Sequence, residues 1–297
     1  MITYDVIIIG GSYAGLSAAM TLGRSLRSTL VIDSGAPCNR QTPRAHNLIT
    51  HDGTPPAEIL AQARRQVTEY ESVECVDSRA IQARQLGQGF EVTLDSGKRY
   101  QGKKLIMATG IRDILPAIEG LAACWGISAI HCPYCHGYEF KEQETGILVR
   151  TERAVHLLGL IRNLSHEVRV FYPSDLVLDE EAQKKLLAEG VVHIQGDIIE
   201  ILHKDGYMQA VRLDNGREVP LQALYIDAPF EQHSSIAADI GCKMTEAGHI
   251  EVDSCQKTNI PGLYACGDNA SGMRSLAAAI YTGNLTGAMI NMELSAE

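Results

Sequence analysis

An apolar run, Tyr4-Asp5-Val6-Ile7-Ile8-Ile9, breaks at Gly10-Gly11-Ser12-Tyr13-Ala14-Gly15 and resumes as a helical pattern from Leu16 to Ser25. This junction restricts the fold more than any other stretch. Strand, glycine-rich turn and helix start begin a parallel βαβ unit. Its backbone N–H groups and positive helix end are aimed at an anion such as a pyrophosphate. The next strand, Thr29-Leu30-Val31-Ile32, ends in Asp33, 23 positions after Gly10. That is close to the spacing of a carboxylate that grips ribose hydroxyls. Ser12 stands where backbone must come closest to phosphate; it is small, and its hydroxyl can donate to an oxygen. Alone, the turn also fits a tight strand-to-helix junction that binds nothing.

Two later segments repeat the theme. Lys104-Leu105-Ile106-Met107-Ala108-Thr109-Gly110 reads as a strand running into a Thr109-Gly110 turn. Ile260 to Asp268 reads as a turn, a short buried strand and the pair Gly267-Asp268, followed by a small-residue helix from Ser275 to Met292. An Asp at such a strand end can reach a flavin's ribityl chain. The helix start at Leu276 and Ala277 can face the electron-rich end of the isoalloxazine. An ordinary capping Asp is the competing reading.

The 297 residues, 45% hydrophobic and 21% charged, suit one large or two medium globular domains. No run approaches the roughly eighteen apolar residues of a membrane span, and no basic, apolar leader precedes the first strand. A formal net charge of -10 disfavours non-specific binding to nucleic acid or anionic membranes. Of eight cysteines, those at 38, 75, 124, 242, 255 and 266 are scattered, as expected of reduced and mostly buried thiols in a cytoplasmic protein.

The remaining two lie in His131-Cys132-Pro133-Tyr134-Cys135-His136. Two cysteines so spaced can close a small disulfide ring, hold part of a metal site or simply be structural. A tetrahedral zinc site needs a second ligand pair from elsewhere, and no second Cys-x-x-Cys or spaced His pair occurs. No metal is therefore expected, and a redox dithiol is the favoured reading. An ordinary thiol, pKa about 8.5, is only a few per cent thiolate at neutral pH. His136, with an unperturbed value of about 6.5, is expected as general acid/base; the alternative is a ring that only binds a loop carbonyl. His131 is expected to be structural.

The N-terminal turn, the Ala108-Thr109-Gly110 turn, the Cys132–Cys135 pair and Gly267-Asp268 occur in the order and spacing of low-molecular-weight thioredoxin reductases, and the chain resembles that family over nearly its whole length. The strings GGSYAGLSAA and HCPYCHGYE resemble a branch of thioredoxin-reductase-like flavoproteins that includes fungal dithiol oxidases of the gliotoxin type. The resemblance implies FAD held by Gly10, Ser12, Tyr13, Ala14, Gly15, Asp33, Thr109, Gly110, Gly267, Asp268, Leu276 and Ala277. It implies an α/β fold of two Rossmann-like domains, the smaller inserted into the FAD domain, and a homodimer. Catalysis would fall to Cys132, Cys135 and His136. By resemblance Cys135 exchanges electrons with the flavin and Cys132 meets the substrate.

The β/α pattern restarts after Gly110, so the FAD domain is expected to be 1–112 plus 231–297, with 113–230 inserted. In the family the insert binds NADPH through its own glycine turn. Here Val149 and Thr151 stand at the glycine positions, and neither readily takes positive φ. Glu152 adds a carboxylate; two like charges about 4 Å apart repel by about 4 kcal/mol at an effective dielectric of about 20. Tyr172-Pro173-Ser174-Asp175 replaces the basic cluster that would hold a 2′-phosphate. NAD(P)H is therefore not expected as an ordinary ligand. The expected function is a thiol–disulfide oxidoreductase moving two electrons between FAD and a small dithiol or thioredoxin-like protein. It would act as an oxidase using dioxygen or as a reductase driven by another donor. The competing functions are an NADPH-dependent thioredoxin-disulfide reductase and a non-catalytic flavin- or metal-binding regulator.

Overall fold

The computed structural model describes residues 3–165, 167–173, 176–177, 179–187 and 191–297, without the side chains of 152, 153, 182, 185 and 186. The chain divides into two compact units. The first is Met1–Arg40, Pro56–Arg112 and Phe230–Glu297; the second is Gln41–Pro55 and Asp113–Pro229.

In the first unit the sheet order is Val73–Asp77, Thr29–Asp33, Thr3–Ile9, Arg99–Met107, Phe90–Leu94, Ala80–Gln85, with Leu263–Ala265 also paired to Arg99–Met107. The strands on the Thr3–Ile9 side and Leu263–Ala265 run parallel, whereas Phe90–Leu94 and Ala80–Gln85 are antiparallel. Val6, Ile7 and Ile8 are all fully buried, because helices and loops cover both faces of the parallel part. This is why the first strand reads as a continuous apolar run instead of an alternation.

Helix Tyr13–Arg24 packs along the terminal helix Leu276–Ala296. Small residues permit this. A Cβ placed on Gly283 would stand 2.1 Å from the Ala14 carbonyl oxygen. The far end of the terminal helix is pinned by charge. Glu293 accepts from Lys104 Nζ at 2.5 Å, Lys257 Nζ at 2.6 Å and Tyr264 OH at 2.7 Å. Burial alone would raise the Glu293 carboxyl, but these donors hold it at about 2.

The second unit is built on a parallel sheet ordered Val191–Gln195, Val168–Tyr172, Thr145–Leu148, Ala223–Ile226, Ala129–Ile130. Helix Glu152–Arg162 follows its Thr145–Leu148 strand. A separate antiparallel meander, Ile198–Lys204, Tyr207–Leu213 and Glu218–Pro220, turns at two glycines. Gly206 and Gly216 there have φ of 83° and 82°.

Residues 41–55 differ from expectation. They cluster with the second unit rather than with 1–112. Their polar groups find partners there: Gln41 Nε2 donates to Ala122 O at 3.1 Å, and His46 Nε2 lies 3.4 Å from Glu139 Oε1. Among the described residues no helix is long and apolar enough to cross a membrane.

Candidate active site

In the first unit, four sequence-distant turns meet at the C-terminal ends of the parallel strands. Gly10 has φ of 107°, and a Cβ there would sit 2.2 Å from the Ala108 carbonyl oxygen. A Cβ on Gly15 would lie 1.8 Å from Gly10 O, so the turn closes on itself without side chains. Gly11 N donates to Asp33 Oδ1 at 3.1 Å, which ties the turn to the second strand. Ser12 takes the N-cap position without a side-chain capping bond, and helix Tyr13–Arg24 begins three residues earlier than the apolar pattern indicated. Tyr13 and Ala14 contribute backbone at this helix start. The Tyr13 phenol is buried and committed to Pro56 O at 2.9 Å, so its side chain is packing.

A cleft beside the turn is lined by Gly10, Ser12, Asp33, Thr109, Arg79 and His233. Burial lowers the His233 pKa, and Arg112, Arg79 and Arg40 push it the same way. Glu231 opposes them, and Arg79 is the cation in the cleft wall able to meet a phosphate. Arg79 and His233 were not singled out from the sequence; no local motif surrounds them.

Thr109 and Gly110 follow the strand end, and Gly110 has φ of 65°. The buried Asn269 donates to Met107 O at 2.9 Å and to Thr109 Oγ1 at 3.3 Å, while its Oδ1 has no protein donor among the described residues. Gly267 has φ of 83°, and its N–H donates to Thr282 Oγ1 at 3.1 Å. Asp268 lies 3.9 Å from Arg274 Nε. Ser275 caps the terminal helix through Ala278 N at 3.1 Å, which leaves the N–H groups of Leu276 and Ala277 ahead of the first helical bond. The side-chain-free turn, Asp33 at the end of the second strand, Arg79 in the cleft wall and the orphaned Asn269 oxygen fit a dinucleotide with a polar ring system. FAD meets that description.

In the second unit, strand Ala129–Ile130 leads into Cys132, the N-cap of the short helix Pro133–His136. Cys132 and Cys135 are both partly exposed. By contrast Cys124, Cys242 and Cys266 are buried, and burial raises all three thiols, Cys266 to about 12. Cys75 and Cys255 are half-buried and Cys38 is exposed, so burial of the scattered cysteines is less general than expected. His131 stacks on Trp125 at 5.9 Å, in keeping with a structural role.

His136 departs from expectation. Both ring nitrogens are shielded from solvent and lack hydrogen-bond partners among the described residues. Burial, with His46 nearby, pushes its pKa down to about 4, so the ring is neutral at physiological pH. A histidine whose folded value lies below the unfolded one costs stability as pH falls. The loss begins near the unfolded value of about 6.5 and is complete below about 4. Thermal unfolding between pH 7 and 4 checks this: His136→Gln is expected to flatten the decline of Tm with acidification relative to the unaltered protein.

The turn after strand Thr145–Leu148 carries no positive φ; Thr151 caps its helix with φ of -141°. Val149 is fully buried, and Thr151 Oγ1 donates to Asp227 Oδ2 at 3.2 Å. Asp227 thus adds a carboxylate at the helix N-terminus that sequence reading had not placed there. Ser174 and Asp175, and the side chains of Glu152 and Arg153, lie outside the described residues. Among those residues no group of three or more His, Cys, Asp or Glu side chains is arranged to hold a metal ion.

The sequence profile of the pyridine nucleotide-disulphide oxidoreductase family matches residues 4–283. The chain belongs to this family, and it is an FAD oxidoreductase of the thioredoxin-reductase-like kind. It is 31% identical to the thioredoxin reductase tcpT of Claviceps purpurea, covering 99% of this chain and 95% of that one. It is 28% identical to the thioredoxin reductase sirT of Leptosphaeria maculans, covering 98% and 94%. A solved oxidoreductase from Agrobacterium tumefaciens is 34% identical over 99% of both chains, with a TM-score of 0.92.

Proposed function

We propose that this chain is a thiol–disulfide oxidoreductase that works through a Cys132–Cys135 redox pair and has no ordinary NADPH site. The second unit carries this reading. It presents two partly exposed thiols at a helix start, while its nucleotide turn lacks glycine and its helix N-terminus faces the Asp227 carboxylate.

Bound FAD would supply a two-electron carrier that exchanges with the dithiol and with dioxygen or another redox partner. Its holders are the Gly10–Gly15 turn, Asp33, Thr109, Gly110, Gly267, Asp268 and the N–H groups of Leu276 and Ala277. In the reducing direction the Cys132 thiolate attacks a substrate disulfide and releases one substrate thiolate. Cys135 then displaces the other, leaving a Cys132–Cys135 disulfide. In the oxidising direction a substrate dithiol, attacking as its thiolate, opens that disulfide by the same two exchanges in reverse. The substrate is a small dithiol or a thioredoxin-like protein. The names of the relatives support a second reading, an NADPH-driven thioredoxin reductase.

Anaerobic mixing of the oxidised holoenzyme with one reductant at a time separates these. A dithiol is expected to bleach the flavin absorbance within the turnover time, whereas NADPH leaves it unchanged over the same period. Rapid bleaching by NADPH overturns the proposal and supports the second reading. Bleaching by neither points to a carrier as donor if a reduced carrier then bleaches it. If the carrier also fails, the redox reading is lost.

A further inference from the structure

The dithiol helix is entered through a short stretch of chain. Helix Pro133–His136 is a single turn, with Cys135 N and His136 N each donating to Cys132 O at 3.3 Å. One turn of helix does not hold itself in water. The strand before it, Ala129–Ile130, is two residues long and ends directly before His131. Where Cys132 sits therefore depends on what fixes the residue between strand and helix.

That residue is His131, and Trp125 holds its ring. Indole and imidazole stack with centroids 5.9 Å apart and planes 28° from parallel. Trp125 is itself fixed from several sides. Its backbone bridges in parallel to Ala129, and Gly126 N donates to Ala129 O at 2.9 Å. Gly126 has φ of 77°, a left-handed turn that folds Trp125 back beside the strand. The indole Nε1 donates to Asp113 Oδ2 at 3.2 Å. The rest of the ring system packs on the core that includes Leu121, Cys124 and Ala129. A side chain clamped to core, strand and carboxylate thus passes its rigidity to the ring one peptide bond before Cys132.

We infer that Trp125 is a positioning residue for the dithiol: by stacking on His131 it holds Cys132 where its sulfur can close on Cys135. The inference rests on the redox-dithiol reading. A disulfide closes more readily when one thiol is already held near the other. A Cys132 that wanders lowers the effective concentration of its thiol at Cys135 and moves the equilibrium toward the open dithiol.

The experiment is an anaerobic titration of the holoenzyme against glutathione buffers. Alkylation and peptide mass spectrometry then read the fraction of the Cys132–Cys135 pair that is oxidised. In Trp125→Leu the [GSH]²/[GSSG] ratio at half-oxidation is expected to fall about fivefold, the worth of one aromatic pair. His131→Leu should shift it equally, and the double variant no further than either, because both remove the same contact. Trp125→Phe keeps a ring over His131 and should restore most of the shift. The control is His193→Leu, which breaks the other histidine–tyrosine pair of this unit, Tyr172–His193 at 6.1 Å, and is expected to leave the midpoint in place. If Trp125→Leu does not fold, half-buried His131→Leu decides. Unshifted midpoints, a shift toward the disulfide, additive shifts in the double variant or an equal shift in His193→Leu overturn the inference. Failure of the wider redox reading shows differently: the unaltered protein would form no Cys132–Cys135 disulfide at any glutathione ratio, and the inference would fall with it.

Discussion

Cys132→Ser and Cys135→Ser are each expected to lower kcat/KM by roughly 10³-fold or more while the purified variants stay yellow. Serine nearly preserves the volume of the side chain, so the short helix Pro133–His136 keeps its form. What is lost is chemical. A hydroxyl is scarcely ionised at neutral pH and cannot close a disulfide, so neither the attacking nor the resolving half of the exchange can finish. Cys266→Ala is the contrasting change. That thiol is fully buried and its pKa is pushed up to about 12, so its replacement costs packing and leaves the exchange untouched. Steady-state turnover with a dithiol or disulfide substrate, read against flavin absorbance, checks all three variants. Serine variants with near-normal rates would place the redox centre elsewhere.

Gly15→Val is the second large effect, and here the cofactor is lost. A Cβ at position 15 meets Gly10 O at 1.8 Å and Gly10 C at 3.0 Å, and all these atoms belong to main chain that cannot rotate away. The helix start must retreat from the turn, which moves the N–H groups that would hold a pyrophosphate. The expected result is protein without bound flavin, destabilised by about 3 kcal/mol or more. The flavin-to-protein absorbance ratio and the melting temperature report the two consequences separately. Gly159→Ala is the control. It lies in helix Glu152–Arg162 with nothing near its prospective Cβ, so it is expected to gain up to about 1 kcal/mol with flavin content unchanged. A flavin-replete Gly15→Val protein with an unshifted melting temperature would refute the cradle.

The strand–turn–helix start was legible because its signals are local. Apolar Ile7-Ile8-Ile9, the glycines and Asp33 fall within a single supersecondary unit, and each follows from short-range backbone sterics. The Cys132–Cys135 pair was legible for the same reason. Arg79, His233 and Asn269 were not, because each enters the first unit's site from a strand end or loop far along the chain. Asp227 escaped notice likewise: it reaches Thr151 only once two strands lie side by side.

Residues 41–55 show a further limit. Nothing in Gln41 to Pro55 marks its partners; their contacts with Ala122 and Glu139 place the segment with the second unit. His136 shows the sharpest one. Nothing in its sequence neighbours marks it as buried, yet burial, with His46 nearby, takes its pKa down to about 4.

From the residues alone came the parallel α/β architecture, the nucleotide turn and the dithiol, since periodicity and turn sterics act over a few positions. Tertiary structure alone decided which distant backbones touch and whether His136 carries charge. Close approach and desolvation depend on neighbours the chain order does not name.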